Sequence, residues 1–452
     1  MLKTLEETHP NLYAYIPENE FVEKTDILRK SIDRPLTESE FFKILYKTVS
    51  LIKQGHTMVF GDPGFRDFLE EGGLSFPFTI KYADGQIFID ENHSASKTPV
   101  KGSELIAINR IPVSQIIDDI TPYLRVRPNG FIGSTLEFNW ARCLWLEYGF
   151  DSNFAISYIL PNGDTIRSCT VAGVNNEPKK SKNPDKGKFN FNIDQNRSTA
   201  VITLNSFEFD YEEYDSLLYT SFRSIKENNT ENLIIDIRDN KGGNGNLVGM
   251  LVDYLTDRPY IATSSSLVKT SEATRECYTT HPVFVNAIEQ ARKAENESEE
   301  FLQLTDCFLE KPAGTITTLP ADEVIPSYNE NRFKGNLYIL TSHNTFSGAT
   351  AFAVIIKDNK IGYIVGEETS DNPTDYGCIM LFQLPNTGIT IQNSTLYSVR
   401  PAGYDDFHGV IPDFKVKSTY SEFPGEKDKV MNYTYWLIDE GIIDNKKDIV
   451  YK

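Results

Sequence analysis

The chain has 452 residues, with 45 basic against 64 acidic side chains and a formal net charge of −19. That length holds about three ordinary domains, and the acidic excess disfavours nucleic acid and anionic lipid head groups as partners while saying nothing of fold. The longest apolar runs, such as Leu233–Ile237, fall far short of the roughly 20 residues that cross a bilayer, and no basic, apolar leader opens the sequence, so a soluble protein is expected.

The helical pattern comes first. Phe21, Leu28, Ile32, Phe41, Phe42, Leu45, Val49 and Ile52 recur mostly at three- to four-residue spacings. Thr37-Glu-Ser-Glu40 is a capping box, which predicts a helix starting there and running towards Gly55. His56 then falls just past that helix. After Gly61-Asp-Pro-Gly64 the pattern turns to alternating strands, Phe76–Tyr82 and Gln86–Asp90, joined by the hairpin signal Ala83-Asp84-Gly85. Residues 175–188, rich in lysine, proline and asparagine, read as a linker or exposed loop.

Beyond this loop the strand Thr199–Leu204 opens a strand-then-helix pattern: Leu233–Ile237 before a glycine turn and the helix Leu247–Leu255, then Leu337–Thr341 before a turn and the helix Gly348–Lys357. Continuous apolar strands alternating with helices predict a parallel α/β layer buried on both faces.

The five cysteines, Cys143, Cys169, Cys277, Cys307 and Cys378, show no CxxC pair and no metal-like spacing with histidine. At most two disulfides could form, and Cys277 and Cys307, which flank a helix-like segment, could make one; buried reduced thiols packing as small hydrophobes are the expectation.

Ser347 sits where a buried strand and a hydroxyl-rich turn meet a helix start. Helix grammar alone makes it an N-cap. Chemistry offers a second role, because unpaired amides and the positive dipole at such an end stabilise an oxyanion.

Two motifs go further. Leu337-Tyr-Ile-Leu-Thr-Ser-His-Asn-Thr-Phe-Ser-Gly-Ala-Thr350, with the downstream Gly366-Glu-Glu-Thr369, resembles the nucleophile region of the tail-specific (C-terminal processing) and tricorn-like serine peptidases. Leu233-Ile-Ile-Asp-Ile-Arg-Asp-Asn-Lys-Gly-Gly243 is similar to that family's strand ending in Asp-x-Arg-x-Asn-x-Gly-Gly. The resemblance runs from about His9 to Asp413. It implies an α/β multidomain fold: an N-terminal helical region (1–60), a PDZ-like β-rich module (61–188), a crotonase-like ββα catalytic core (189–420) and a C-terminal helix (421–452). The PDZ likeness rests on Gly102-Ser-Glu-Leu-Ile-Ala-Ile-Asn109 followed by Ile111-Pro-Val113, and on the hairpin Tyr158-Ile-Leu-Pro-Asn-Gly-Asp164.

The same resemblance assigns chemistry. Ser347 is the nucleophile, and the N–H of Gly242 or Gly243, with that of Gly348, forms the oxyanion hole. Asp236, Arg238 and Asn240 brace the turn. In the tail-specific branch the base is a lysine in a Gly-Lys-Gly segment, but Asn372 stands in its place here, and Lys357 and Lys360 read as solvated surface charges. The tricorn-like branch uses histidine, and Gly55-His56-Thr57 resembles its Gly-His-Thr, with Gln54 where aspartate is common. His56 is therefore the expected base, with His408 and His343 behind it. A carboxylate three residues before Gly409-Val-Ile-Pro-Asp413 is expected to orient the base, which points to Asp406, with Asp405 as its neighbour.

The implied reaction is acyl transfer to water from a peptide or unfolded protein substrate, without metal or cofactor. The implied location is the periplasm, cell envelope or extracellular space, with a lipoprotein-type export signal removed. Oligomeric state is not legible. Two other readings share the fold: a catalytically degenerate peptide- or lipid-binding protein, as in retinoid-binding modules of the interphotoreceptor type, and a non-peptidase ester or amide hydrolase. Turnover and substrate tests separate them.

Overall fold

The structure, a computed structural model, describes residues 1–83, 85–124, 132–179, 187–293, 299–320, 323–404, 407–416 and 428–441. The chain divides into two units, the first comprising residues 1–182, 267–317 and 376–397, the second residues 183–266, 318–375 and 398–452.

The second unit is built on the strong apolar runs. Thr199–Leu204, Asn232–Asp236, Asn336–Thr341, Tyr363–Gly366 and Phe414–Lys415 pair as neighbours, all parallel, and Phe189–Asp194 adds an antiparallel edge. Successive side chains along a strand point to opposite faces. Leu233, Ile235, Leu337, Ile339 and Ile364 therefore enter one core, shared with the helices Tyr211–Glu227, Gly245–Val252 and Gly348–Asp358. Ile234, Tyr338, Leu340 and Val365 enter the opposite one, covered by Val430 and Leu437 of the helix Lys429–Asp439. Double coverage is why these strands read as continuous apolar runs. Each such aliphatic side chain contributes on the order of 1.5–3 kcal/mol when buried. The helix Gly245–Val252 is shorter than its apolar span, because Tyr254 and Leu255 ride on tight turns in which their amides bond Leu251 O and Val252 O.

In the first unit an antiparallel sheet runs in the order Phe78–Ala83, Gln86–Asn92, Glu104–Ile108, Asn153–Ile159, Ile166–Ala172. The helices Val113–Ile120 and Gly133–Tyr148 pack against it through Ile116, Leu136 and Trp140. Asn109 and Arg110, with φ of 48° and 69°, make the two-residue turn from Ile108 to Ile111, the backbone geometry that matches strand twist in a tight hairpin.

A second core of this unit joins Leu5, Phe21, Phe42 and Leu45 to Ile391. Its helix Glu38–Ser50 starts at the expected capping box, with Glu40 N donating to Thr37 Oγ and Thr37 N to the Glu40 carboxylate. It ends well before Gly55 because Lys53, at φ 54°, takes the chain off the helical track.

All five cysteines are free thiols, with Cys143, Cys277 and Cys307 buried. Among the described residues, no helix is long and apolar enough to cross a membrane.

Candidate active site

Three loops of the second unit, 237–244, 342–347 and 367–374, follow three neighbouring parallel strands. The carboxyl ends of parallel strands share one edge of the sheet, the edge where open α/β sheets bind ligands.

The middle loop is held by its own hydroxyls. Ser342 N donates to Thr345 Oγ (3.1 Å), and that hydroxyl donates to Ile237 O (3.0 Å). Ser342 Oγ donates to Arg238 O (2.6 Å), and Phe346 N to Asn240 O (3.1 Å). Ser347 then opens the helix Gly348–Asp358 at φ 51° and ψ −123°, without a side-chain capping bond. An ordinary N-cap is extended and spends its side-chain oxygen on the first turn. Ser347 does neither. A left-handed φ on a residue with a side chain costs on the order of 1–3 kcal/mol, so helix grammar does not account for this serine. A strained serine between strand and helix is the arrangement that presents a nucleophilic hydroxyl at the top of a sheet in α/β-hydrolases.

The first loop lies against it. Gly242 and Gly243 have φ of 94° and 139°. A Cβ on Gly242 would lie 2.7 Å from Gly348 N and 2.9 Å from Ser347 Cβ, and one on Gly348 would lie 3.3 Å from Gly243 N. Buried Asn240 donates from Nδ2 to Leu204 O (3.0 Å) and accepts from Gly242 N (2.8 Å). The Gly242 amide is thereby committed, whereas the amides of Gly243 and Gly348 have no acceptor among the described residues. Of the two glycines left open by the sequence, Gly243 is the one with a donor to offer. Arg238 bonds both Asp236 and Asp428, at 2.6 Å and 2.7 Å in the shortest contacts. Burial works against its charge, but the two carboxylates outweigh that and hold the guanidinium firmly protonated.

The third loop contributes a residue that sequence reading missed. Asp371 is 4% exposed, and its Oδ2 accepts the Ser347 amide (3.2 Å) while Oδ1 accepts the Asn372 amide (3.1 Å). Ser370 donates from both its amide and its hydroxyl to Thr345 O, at 3.0 Å each. Only the polar run Thr369-Ser-Asp-Asn372 hinted at this, and such a run reads equally well as a solvated loop. Asn372 is buried, Lys360 is exposed, and Lys357, read from sequence as solvated, pairs with Asp413 at 2.5 Å.

Asp405 and Asp406 lie outside the described residues. The segment after them is tied to the third loop: Gly409 N donates to Glu368 Oε1 (2.7 Å) and Val410 N to Thr369 Oγ (2.8 Å). His408 Nδ1 is 3.6 Å from Glu368 Oε1. His343 is half-buried on the middle loop.

His56 belongs to the first unit. It precedes the short strand Met58–Val59, where Met58 pairs with Gln392, and its carbonyl accepts from Gln392 Nε2 (2.8 Å). Gln54 is buried, and its Oε1 accepts from Thr57 Oγ (2.5 Å) and Ser394 Oγ (3.4 Å). The residue that departs from the common motif is thus itself part of the local brace. Ser347, Gly242, Gly243 and Gly348 come together within the second unit.

Residues 198–416 match the family model of peptidase family S41. Residues 198–416 are thus the S41 peptidase region of this chain. Peptidases of family S41 are serine peptidases, and this chain is a hydrolase of that class acting on peptide substrates. No curated protein matches it. Among solved structures, mature CPAF is similar over 100% of this chain and 98% of that one, at TM-score 0.67 and 17% identity. Mature CPAF complexed with lactacystin is similar over 97% and 95%, at TM-score 0.63 and 17% identity. A putative peptidase from Parabacteroides merdae is similar over 96% and 93%, at 0.50 and 13%. At these identities the structures speak for a shared S41 fold.

Proposed function

We propose that this S41 peptidase is an endopeptidase that cleaves through an acyl-enzyme on Ser347, in the manner of the tricorn-like serine–histidine branch. The observation that carries the reading is the left-handed backbone of Ser347, held where two glycines pack against it. In the proposed sequence His56 takes the hydroxyl proton, Ser347 Oγ attacks the peptide carbonyl, and the amides of Gly243 and Gly348 receive the oxyanion. The imidazolium returns the proton to the leaving amine, and water activated by the same base releases the acyl group. Asp406 is proposed to orient the imidazole. A PDZ-like module in residues 61–188 would hold an extended or C-terminal peptide by strand addition, beside a crotonase-like core in residues 189–420 and ahead of a C-terminal region from 421. An exported location belongs to the same proposal.

The test is labelling with a fluorophosphonate, and with lactacystin since CPAF is known in complex with it, alongside cleavage of denatured protein. The natural chain should label and cut, and Ser347→Ala and His56→Ala should each abolish both. Activity surviving Ser347→Ala would refute the mechanism. A folded natural chain that neither labels nor cuts would favour the binding-protein reading instead.

A further inference from the structure

The backbone of Ser347 needs something to hold it. A residue at φ 51° and ψ −123° relaxes unless its surroundings over-determine it. Two neighbours on its N-terminal side are fixed by the first loop, through Phe346 N on Asn240 O and Thr345 Oγ on Ile237 O. Neither bond touches Ser347 itself. Its carbonyl accepts Ala351 N at 2.9 Å, the ordinary first bond of the helix. Its amide goes elsewhere, to Asp371 Oδ2.

We infer that Asp371 is a positioning residue of the peptidase: by accepting the Ser347 amide, its carboxylate locks the nucleophile in the strained turn and leaves the oxyanion to Gly243 and Gly348. This rests on the reading of Ser347 as nucleophile. Asp371 is itself anchored for the task. It is buried, its second oxygen accepts the Asn372 amide, and its carbonyl accepts Thr369 Oγ at 2.9 Å. Ser370, one residue earlier, grips Thr345 O with two bonds. The strap 369–372 therefore holds the turn from one side while the loop 237–243 holds it from the other. A buried carboxylate is a strong acceptor for an amide, which suits a bond that must withstand strain. It also engages the one amide of the serine, so the nucleophile's own N–H is not available to an oxyanion.

The consequence is kinetic. Losing the lock lets the hydroxyl shift on its turn, and displacements of about 1 Å at a reacting atom cost on the order of 100-fold. Asp371→Ala should lower kcat by about 10- to 100-fold and leave KM within about threefold. Asp371→Asn keeps an oxygen for the Ser347 amide and should retain kcat within about fivefold. Crystal structures of both variants give a readout that does not depend on activity. Ser347 should leave positive φ in Asp371→Ala and keep it in Asp371→Asn. Overturning results are an alanine variant with unchanged kcat and unchanged Ser347 backbone, or an asparagine variant as slow as alanine with the backbone still in place, which would assign the effect to charge. If Asp371→Ala does not fold, the asparagine variant decides alone by the same two measurements. If Ser347→Ala still turns over substrate, the nucleophile reading fails, while the crystal structures still decide whether Asp371 holds the turn.

Discussion

A methyl group on Gly242 would lie 2.7 Å from the nitrogen of Gly348 and 2.8 Å from Phe346 O. Either the loop withdraws or the turn carrying Ser347 moves, and the φ of 94° adds strain to any L residue there. Gly242→Ala should therefore cost about 100-fold or more in kcat/KM, with roughly 1–3 kcal/mol of stability. Gly245 provides the contrast, since a Cβ there meets nothing within 4 Å. It opens the helix Gly245–Val252, and Gly245→Ala should leave activity unchanged and shift stability by no more than about 1 kcal/mol. Steady-state kinetics and urea unfolding of the pair check both statements. At this scale the sequence singled out Ser347 and the paired glycines, because the proposed acyl transfer would need those residue types there. It was silent about Asp371, because an acidic side chain in a polar loop looks the same whether it is solvated or bonded to a backbone amide.

At the scale of elements, the helix Lys429–Asp439 is anchored at its start by one side chain. Asp428 caps it by accepting Met431 N (3.0 Å) and also pairs with Arg238 (2.7 Å). Burial opposes its ionisation, but the guanidinium outweighs that and holds the carboxyl below its usual range. A depressed folded pKa contributes stability that is present above the unfolded value of about 3.9 and fades as pH falls through the folded one. Asp428→Ala should cost about 1–3 kcal/mol at pH 7 and flatten the loss of stability below pH about 4, as urea midpoints across that range would show. The parallel strands were legible because both their faces are buried. Which helix covers the second face was not, since Arg238 and Asp428 are 190 positions apart and pair only once the sheet has formed.

At the scale of the whole molecule, a buried histidine among the described residues makes stability sensitive to mild acid. His9, in the first unit, is 1% exposed and stacks on Tyr376 with ring centroids 5.1 Å apart. Burial is the main cause that pushes its imidazole down to about 3, only partly offset by the Gln54 side chain, while Lys269 pushes the same way. The unfolded chain takes up that proton near pH 6.5, so this contribution is complete above about 6.5 and falls by up to about 1.4 kcal/mol per pH unit down to about 3. Between pH 7.5 and 5 the full chain should lose about 2 kcal/mol, and His9→Gln should show a visibly smaller drop; an identical drop would contradict the assignment. The multidomain α/β character and the S41 family were within reach of the sequence, since they follow from apolar periodicity and two long motifs. How each motif is locked was not, because the locks join loops far apart in the chain, as Gln392 does at His56 and Asp371 at Ser347.

The central claim is that Ser347 is the nucleophile, and its most direct test is to react the natural chain with a fluorophosphonate and locate the adduct by peptide mass mapping. A single adduct on the peptide containing Ser347, absent from Ser347→Ala and formed with loss of peptidase activity, is the predicted result. An adduct on any other residue accompanying inactivation, or full peptidase activity with Ser347 quantitatively modified, would contradict the account.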